Sequence, residues 1–290
     1  MNVFTHYRFA RITRRSFGVG LCALFPIFGA VASQLSPDVD GLPRLASYTG
    51  TYEISLVRAS QLEGVRAATG KMVYTLVDRC EGYTIETDVD VNLTFSNGLT
   101  NRVLKRYAGW EAKDGRRSTF RMQVYENGEL EDSYTGKVDI AADGSGRALY
   151  ASGETTTIDL PPGTVLSSQQ LRSLIQAGQG ATALFSQTVM DGAFEDGPYR
   201  TTGYIAPARD AGQSNEKNGP DSDVADLMDG AAWPVTMAYF PVGETAEVPE
   251  YELSFQLLPN GVIRSLTQDY GAYTLSMQLK SISPRAGGCS

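Results

Sequence analysis

A repeated alternation of apolar and polar residues, broken by short turn signals, is the feature that most restricts the fold of this chain. Residues 52–57 read Tyr-Glu-Ile-Ser-Leu-Val, and the same alternation returns between residues 72 and 140. A period of two is typical of a β-strand with one buried face. Asn97-Gly98, Asp114-Gly115 and Asp143-Gly144 separate the segments, and such dipeptides tolerate the positive φ of tight hairpins. The pattern predicts an antiparallel meander.

The second half of the chain adds one helix and more strands. Pro161-Pro162-Gly163 interrupts the alternation, and Ser167 is then the expected N-cap of a helix that ends near Gly178. Residues 210–223 are polar and rich in glycine, asparagine and aspartate, which predicts a loop. A closing three-stranded meander is expected over residues 251–258, 262–270 and 273–282.

These patterns define one fold class. We expect a mainly β protein with a single large antiparallel sheet, open or spiral (a β-spiral, half-barrel-like), and one principal α-helix near residues 167–178. Because no linker between independent units is visible, the sheet is expected to form one domain.

Residues 1–32 have the character of a cleaved signal peptide. Four arginines precede an apolar stretch, residues 17–28, that is too short to span a bilayer. The small residues Ala30-Val31-Ala32 then predict cleavage before Ser33. Residues 13–17 also resemble a twin-arginine signal, so export by the Sec route and by the twin-arginine route both remain open. The prediction is a bacterial periplasmic protein with one domain over residues 33–290, closed by one disulfide.

The cysteines support that compartment. Cys22 lies in the leader, so Cys80 and Cys289 are the thiols of the mature chain. An exported chain with two cysteines most simply pairs them. Two unpaired thiols, or bonds to other chains, are the alternatives. The predicted pair is structural and not redox-active, because Arg79 and Glu81 beside Cys80 create no one-sided charge.

Composition excludes several classes of function. The one histidine of the chain, His6, leaves with the leader. Ser-His-Asp and Cys-His nucleophiles are therefore excluded, and common zinc and iron sites lose their usual ligand. The mature chain has 21 basic and 33 acidic residues, a net charge of −12, which argues against nucleic acid as a partner. No transmembrane segment is visible in the mature sequence.

No catalytic, cofactor-binding or metal site is predicted. Asp88, Asp90 and Asn92 share one face of a strand, but this spacing favours a solvated face over a calcium site. Ser214 and Lys217 match a Ser-x-x-Lys spelling, yet the partner motifs of penicillin-recognising enzymes are missing. The 15 tyrosines are typical of β packing, and an aromatic concave face for a lipid or a peptide is the alternative.

Several short motifs, in order along the chain, carry a resemblance. They are Leu45-Ala-Ser-Tyr48, Gly70-Lys-Met-Val-Tyr74, Val189-Met-Asp-Gly192, residues 233–239 and Asp269-Tyr-Gly271. The chain resembles the EipB-like family of alphaproteobacterial cell-envelope integrity proteins from about residue 45 to residue 282. The resemblance implies a periplasmic β-spiral, an internal disulfide at the positions of Cys80 and Cys289, and a role in envelope integrity under stress. It also implies a periplasmic tetratricopeptide-repeat partner and supplies no catalytic residues.

Three functional hypotheses follow. The first is a non-enzymatic envelope factor that binds a protein or lipid on a curved β surface. The second is a carrier that shields an acyl chain in the concavity of the sheet, for which a deep apolar cavity would speak. The third is a carboxylate-based cell-wall glycan hydrolase, which requires two acids across a cleft, about 5–9 Å apart.

Overall fold

One large β-sheet contains every strand of the part of the chain that the structure describes. A computed structural model describes residues 33–34, 43–60, 64–180, 183–192, 197–210, 222–243 and 248–288. The strands of the first half are β1 (Ser33–Gln34), β2 (Tyr48–Ala59), β3 (Val65–Asp78), β4 (Gly82–Phe95), β5 (Thr100–Ala112), β6 (Arg117–Glu126), β7 (Glu129–Ile140), β8 (Gly146–Ser152), β9 (Glu154–Leu160) and β10 (Thr164–Leu166). Those of the second half are β11 (Ala183–Met190), β12 (Tyr199–Ile205), β13 (Trp233–Pro241), β14 (Tyr251–Leu257), β15 (Ile263–Asp269) and β16 (Tyr273–Pro284). Two helices accompany them, α1 (Ser167–Gln179) and α2 (Ser222–Met228).

The strand order explains the nearly closed, barrel-like shape. Strands β2 to β9 form one antiparallel meander and β11 to β16 form another, and the pairing of β16 with β2 joins the two. The sheet thus begins at β1 beside β11 and ends at β9, with β10 paired in parallel to β11. Because the chain passes from β9 through β10 and α1 to β11, the helix follows the chain across the gap between the two ends of the sheet.

The interior face of the sheet is built from alternate residues. In β14, Tyr251, Leu253, Phe255 and Leu257 are buried while the residues between them are exposed. The main hydrophobic core joins β2–β5 to β11–β16 and includes Leu174 and Ile175 of α1. This alternate burial explains why a period of two in the sequence gives a sheet with one apolar face, which here lies on the inside.

The predicted fold class is confirmed, and one predicted turn can be followed in detail. The sheet is mainly antiparallel, and α1 covers the predicted region 167–178. Asn97-Gly98 turns between β4 and β5, where Gly98 has a φ of 83° and the Asn97 side chain accepts a hydrogen bond from the Leu99 N–H at 3.0 Å.

Two local predictions are wrong, and two strands were not predicted. Leu166 and not Ser167 is the N-cap of α1, and its N–H donates to Gln169 Oε1 at 3.4 Å. The predicted loop at residues 210–223 extends too far, because α2 begins at Ser222. Strands β8 and β9 were not expected, since residues 146–160 are mostly polar and exposed and lack a full apolar alternation. Residues 1–32, Ser214, Lys217 and Cys289 lie outside the described residues.

Candidate functional site

A cavity inside the sheet, next to the start of α1, is the candidate site. Its volume is about 100 Å³. The apolar walls come from both halves of the sheet and from α1, and consist of Leu76, Ile85, Val89, Met122, Leu171, Leu174, Met237, Leu253, Phe255, Ile263 and Leu266. Polar side chains occupy the rest of the lining, among them Glu111, Asp191, Lys105, Tyr74, Tyr107 and Tyr239. The cavity therefore combines an apolar wall with several ionisable and phenolic side chains.

Strand β5 supplies three of these groups from one face. Lys105, Tyr107 and Glu111 are separated by even numbers of residues, so their side chains lie on the same side of the sheet. Gly109 lies between Tyr107 and Glu111, and a Cβ there would come within 2.6 Å of the Tyr107 hydroxyl. The absence of a side chain at Gly109 lets the Tyr107 ring lie along the strand, from where its hydroxyl donates to the Asp191 carbonyl at 3.1 Å.

Glu111 caps helix α1 from a distant point of the sequence. Its side chain is 1% exposed, and Oε2 accepts a hydrogen bond from the Ser168 N–H at 2.7 Å. The first N–H groups of a helix have no partner within the helix, and the helix dipole favours an anion there. Burial nevertheless raises the pKa of the Glu111 carboxyl, the Ser168 hydrogen bonds lower it, and the charge of Asp191 raises it further.

Asp191 directly follows β11 and is the second acid of the cavity. Its negative charge contributes to the raised pKa of Glu111, of Tyr107 and of Tyr239, although burial is the larger cause for each. The two carboxylates therefore oppose one another electrostatically within one enclosure.

Lys105 is a third ionisable group of the lining. Burial lowers the pKa of its ammonium to about 8, while the charges of Glu126 and Asp132 act in the opposite direction. Neither Glu126 nor Asp132 is among the residues that line the cavity.

The structure describes only one of the two cysteines of the predicted disulfide. Cys80 lies in the three-residue turn between β3 and β4, where the Arg79 N–H donates to the Gly82 carbonyl at 2.8 Å. After β16, the Arg285 N–H donates to the Ser47 carbonyl at 3.0 Å and the Gly288 N–H donates to the Asp78 carbonyl at 2.8 Å. The residue before Cys289 is therefore bonded two residues from Cys80, but Cys289 lies outside the described residues and the pairing stays a prediction.

The acidic face weighed as a calcium site is a solvated surface. Asp88 and Asn92 are exposed, and Asp90 accepts two hydrogen bonds from the Arg102 guanidinium at 2.7 and 2.8 Å. This pairing holds the pKa of Asp90 below its usual range. Within the described ranges, no group of three or more histidine, cysteine, aspartate or glutamate side chains is placed to hold a metal ion.

Sequence reasoning did not single out Glu111. The available signal was that Glu111 is a charged residue on the inward-facing side of β5, where Val103 and Tyr107 also lie. Asp191 did fall within one of the motifs of the resemblance, Val189-Met-Asp-Gly192, but that motif carried no assigned role.

The fold and cavity define a class: a barrel-like β protein whose nearly closed sheet contains a small, mainly apolar cavity with two acids in its lining. Among the described residues, no helix combines the length and the apolar composition needed to cross a bilayer. The chain belongs to the EipB-like family, whose model matches residues 40–285.

Two similar proteins can be described. The cell envelope integrity protein EipB of Brucella abortus is 25% identical to this chain over 274 residues, which cover 94% of each protein. A crystal structure of a beta-barrel-like protein of a domain of unknown function, also from Brucella abortus, has a TM-score of 0.73 and 24% identity. It covers 84% of this chain and 100% of its own, and it confirms the fold. The name of the first of these two proteins refers to cell envelope integrity.

Proposed function

We propose that this chain is a periplasmic, non-enzymatic factor that maintains the cell envelope by binding a partner molecule. The observation that carries the proposal is the family match over residues 40–285, together with a relative named for cell envelope integrity that aligns along nearly its whole length. The cavity adds a physical argument for binding, because apolar walls with a few convergent polar groups are typical of ligand sites.

The cavity speaks less for catalysis on a glycan. Glu111 and Asp191 do line one enclosure, as a carboxylate mechanism requires. However, its volume of about 100 Å³ is smaller than an engineered cavity of about 150 Å³ that holds benzene. A cavity of this volume favours a binding role over the hydrolysis of a glycan.

The proposed mature protein is a single domain over residues 33–290, exported by a Sec or twin-arginine leader over residues 1–32. We propose that a Cys80–Cys289 disulfide closes it. Support for the disulfide comes from the hydrogen bond between the Gly288 N–H and the Asp78 carbonyl, which brings the C-terminal segment to the turn that contains Cys80.

The partner is proposed at the level of its class. A protein bound on the curved sheet, such as a tetratricopeptide-repeat protein, is favoured over a carried acyl chain, because ligand pockets for larger molecules have about 300–1,000 Å³. Native mass spectrometry of the protein from its own host tests the carrier hypothesis, which requires a copurified lipid.

A deletion strain tests the envelope function. Removal of the gene is expected to increase sensitivity to detergent and to cell-wall antibiotics. The full chain should restore resistance. Residues 33–290 without a leader should not restore it, because they are not exported from the cytoplasm. Unchanged sensitivity of the deletion strain would contradict the proposal.

A further inference from the structure

We propose that the outer edge of strand β9 binds an extended segment of a partner protein, and that this segment places a basic residue opposite Asp159. The inference rests on the proposed function, because it names the surface and the partner chemistry through which the envelope factor binds a protein. The mode of binding is β-strand addition, in which a peptide continues a sheet through main-chain hydrogen bonds.

The two ends of the sheet differ in how they are covered. At one end, β1 and β10 both pair in parallel with β11. At the other end, the strand order stops at β9, and β8 is the one strand that pairs with it among the described residues. In the same part of the chain, residues 154–160 make no backbone hydrogen bond to a segment other than β8. Because an antiparallel strand directs its backbone groups alternately to either side, every second residue of β9 offers an N–H and a C=O to a partner.

Strand β9 also lacks the features that usually prevent pairing at a sheet edge. Such features include proline, lysine and β-bulges. Residues 154–160 contain neither proline nor lysine, and their register with β8 is continuous. Residues 155–158 are all β-branched, which favours an extended conformation, and residues 154–157 are exposed. The edge is therefore accessible and suited to accept a further strand.

The charges beside this edge indicate which segment fits. Arg117 of β6 lies opposite Asp139 of β7, which lies opposite Arg147 of β8. Arg147 in turn lies opposite Asp159 of β9. All four side chains are exposed, so positive and negative charges alternate across four strands on the outer face. Arg147 Nε is 3.6 Å from Asp159 Oδ1, and the Asp159 side chain remains 90% exposed. Because opposite charges stabilise facing pairs, the next strand should present lysine or arginine to Asp159.

The inner face of β9 favours an apolar neighbour. Ile158 lies opposite the buried Ala148 of β8, and it packs against a core cluster that contains Tyr150 and Leu160. Successive side chains of a strand point to opposite faces, so the residue beside the basic one in the added strand faces the same side as Ile158. An apolar residue there would extend the cluster. The partner segment is therefore expected to alternate basic or polar residues with apolar ones.

A second copy of this chain fits the edge less well than another protein does. The β9 strand of a second copy would bring Glu154 and Asp159 and no basic residue. The mature chains would also repel one another, since each has 33 acidic and 21 basic residues. Charge complementarity thus favours a basic segment from a different protein.

Two synthetic peptides test the charge preference on the purified mature protein. Each has valine at alternate positions and threonine between them, with one central residue that is lysine in the first peptide and glutamate in the second. Both carry the same dye-labelled glycine-serine tail, and binding is followed by fluorescence anisotropy. We expect the lysine peptide to bind about fivefold more tightly or better, because it gains an attraction where the glutamate peptide meets a repulsion.

A charge reversal on the protein separates this edge from general electrostatics. Asp159→Lys should reverse the preference between the two peptides. Glu252→Lys makes the same change at an exposed position of β14, which is paired on both sides, and should leave the preference unchanged. The inference is overturned if the lysine peptide does not bind, or if its advantage persists in Asp159→Lys.

Methylation of peptide nitrogens tests the main-chain hydrogen bonds. Two versions of the lysine peptide are methylated at the odd-numbered or at the even-numbered residues. Because an added strand uses one of its edges, one version should keep its binding and the other should lose it. Equal binding of the two versions would show that the peptide does not join the sheet.

Proline variants make the matching change on the protein. Thr156→Pro and Thr157→Pro remove neighbouring N–H groups, of which one faces β8 and the other faces outward. Proline is tolerated in a strand where the N–H faces solvent, so the variant with the higher melting temperature identifies the outward position. That variant should lose the lysine peptide, and unchanged binding by it would contradict strand addition.

The oligomeric state and the deletion strain complete the test. A dimer in sedimentation experiments that Asp159→Lys converts to a monomer would make a second copy the occupant and overturn the inference. Failure of the peptide experiments leaves the phenotype of the deletion strain unaffected. Conversely, a deletion strain of unchanged sensitivity would contradict the proposed function even if the peptides bind, so the two proposals can fail separately.

Discussion

Glu111 is a buried residue of strand β5 that caps helix α1 and also lines the cavity. Its carboxylate caps α1 through the Ser168 N–H, yet burial raises its pKa. The folded protein therefore disfavours the charged form more than the unfolded chain does. As the pH rises through the unfolded pKa of about 4.3, the unfolded chain releases its proton first, and the charge then opposes folding.

Because the Glu111 charge opposes folding, its removal in Glu111→Gln should stabilise the protein. The neutral amide keeps the shape and an acceptor for the helix, but it does not have to ionise. We expect the variant to melt at a higher temperature than the unsubstituted protein at pH 7.5, with a difference that shrinks as the pH falls toward about 4, where the unfolded carboxyl holds its proton. Thermal denaturation across this pH range is the measurement.

The control is Glu86→Gln on the outer face of β4. Because Glu86 is exposed, its variant should show no comparable dependence on pH. A lower melting temperature for Glu111→Gln at pH 7.5 would mean that the charged cap stabilises the fold, which contradicts the expected direction.

At the scale of elements, α1 is fixed to the sheet by close contacts that leave no room for larger side chains. Gly178 packs on Trp233 of β13, and a Cβ at Gly178 would lie 2.6 Å from the indole ring. At the other end of the helix, Gln169 packs against Gly115 in the turn between β5 and β6. The helix therefore positions its first turn, and with it one side of the cavity, by contacts with two separate hairpins.

Gly178→Ala tests this packing. The added methyl group must displace the Trp233 ring, which is 7% exposed. Overpacking of this kind costs about 1–3 kcal/mol, so we expect a clearly lower free energy of unfolding in urea and a changed tryptophan fluorescence. Gln176→Ala, at an exposed position of the same helix, should cost far less. Equal stability of the two variants would show that α1 is not clamped by Trp233.

The elements also show what local sequence can predict. Strand alternation and the Asn97-Gly98 turn are local properties, and they correctly predicted the antiparallel sheet. The start of α1 was misplaced because its cap comes from Glu111, 57 residues earlier in the chain. A long separation also hid the cavity, because Glu111 and Asp191 come from different meanders and line it only in the folded sheet. No local pattern records a contact that depends on the closure of the whole sheet.

At the scale of the whole molecule, the two meanders are joined where the last strand meets an early one. β16 pairs with β2 along its length, so the last strand completes the sheet that an early strand began. Beyond β16, hydrogen bonds of Arg285 to Ser47 and of Gly288 to Asp78 continue this seam to the turn before β4. Chain ends are where a fold opens most easily.

A disulfide between Cys80 and Cys289 would hold this seam closed, and its removal should therefore destabilise the protein. Closing a loop of about 200 residues stabilises a fold by roughly 5 kcal/mol at most in the chain-entropy model. In a domain of this size, each kcal/mol shifts the melting temperature by about 2–4 °C. We expect reductant to lower the melting temperature of the exported protein to that of the Cys80→Ser/Cys289→Ser double variant. The double variant itself should not respond to reductant, because it has no bond to lose. Hydrogen exchange should localise the change to β2, β16 and the residues around Gly288, where the seam would open first. Two thiols that react with a labelling reagent in the unreduced protein, or a disulfide-linked dimer on a non-reducing gel, would instead establish one of the two alternative states of these cysteines.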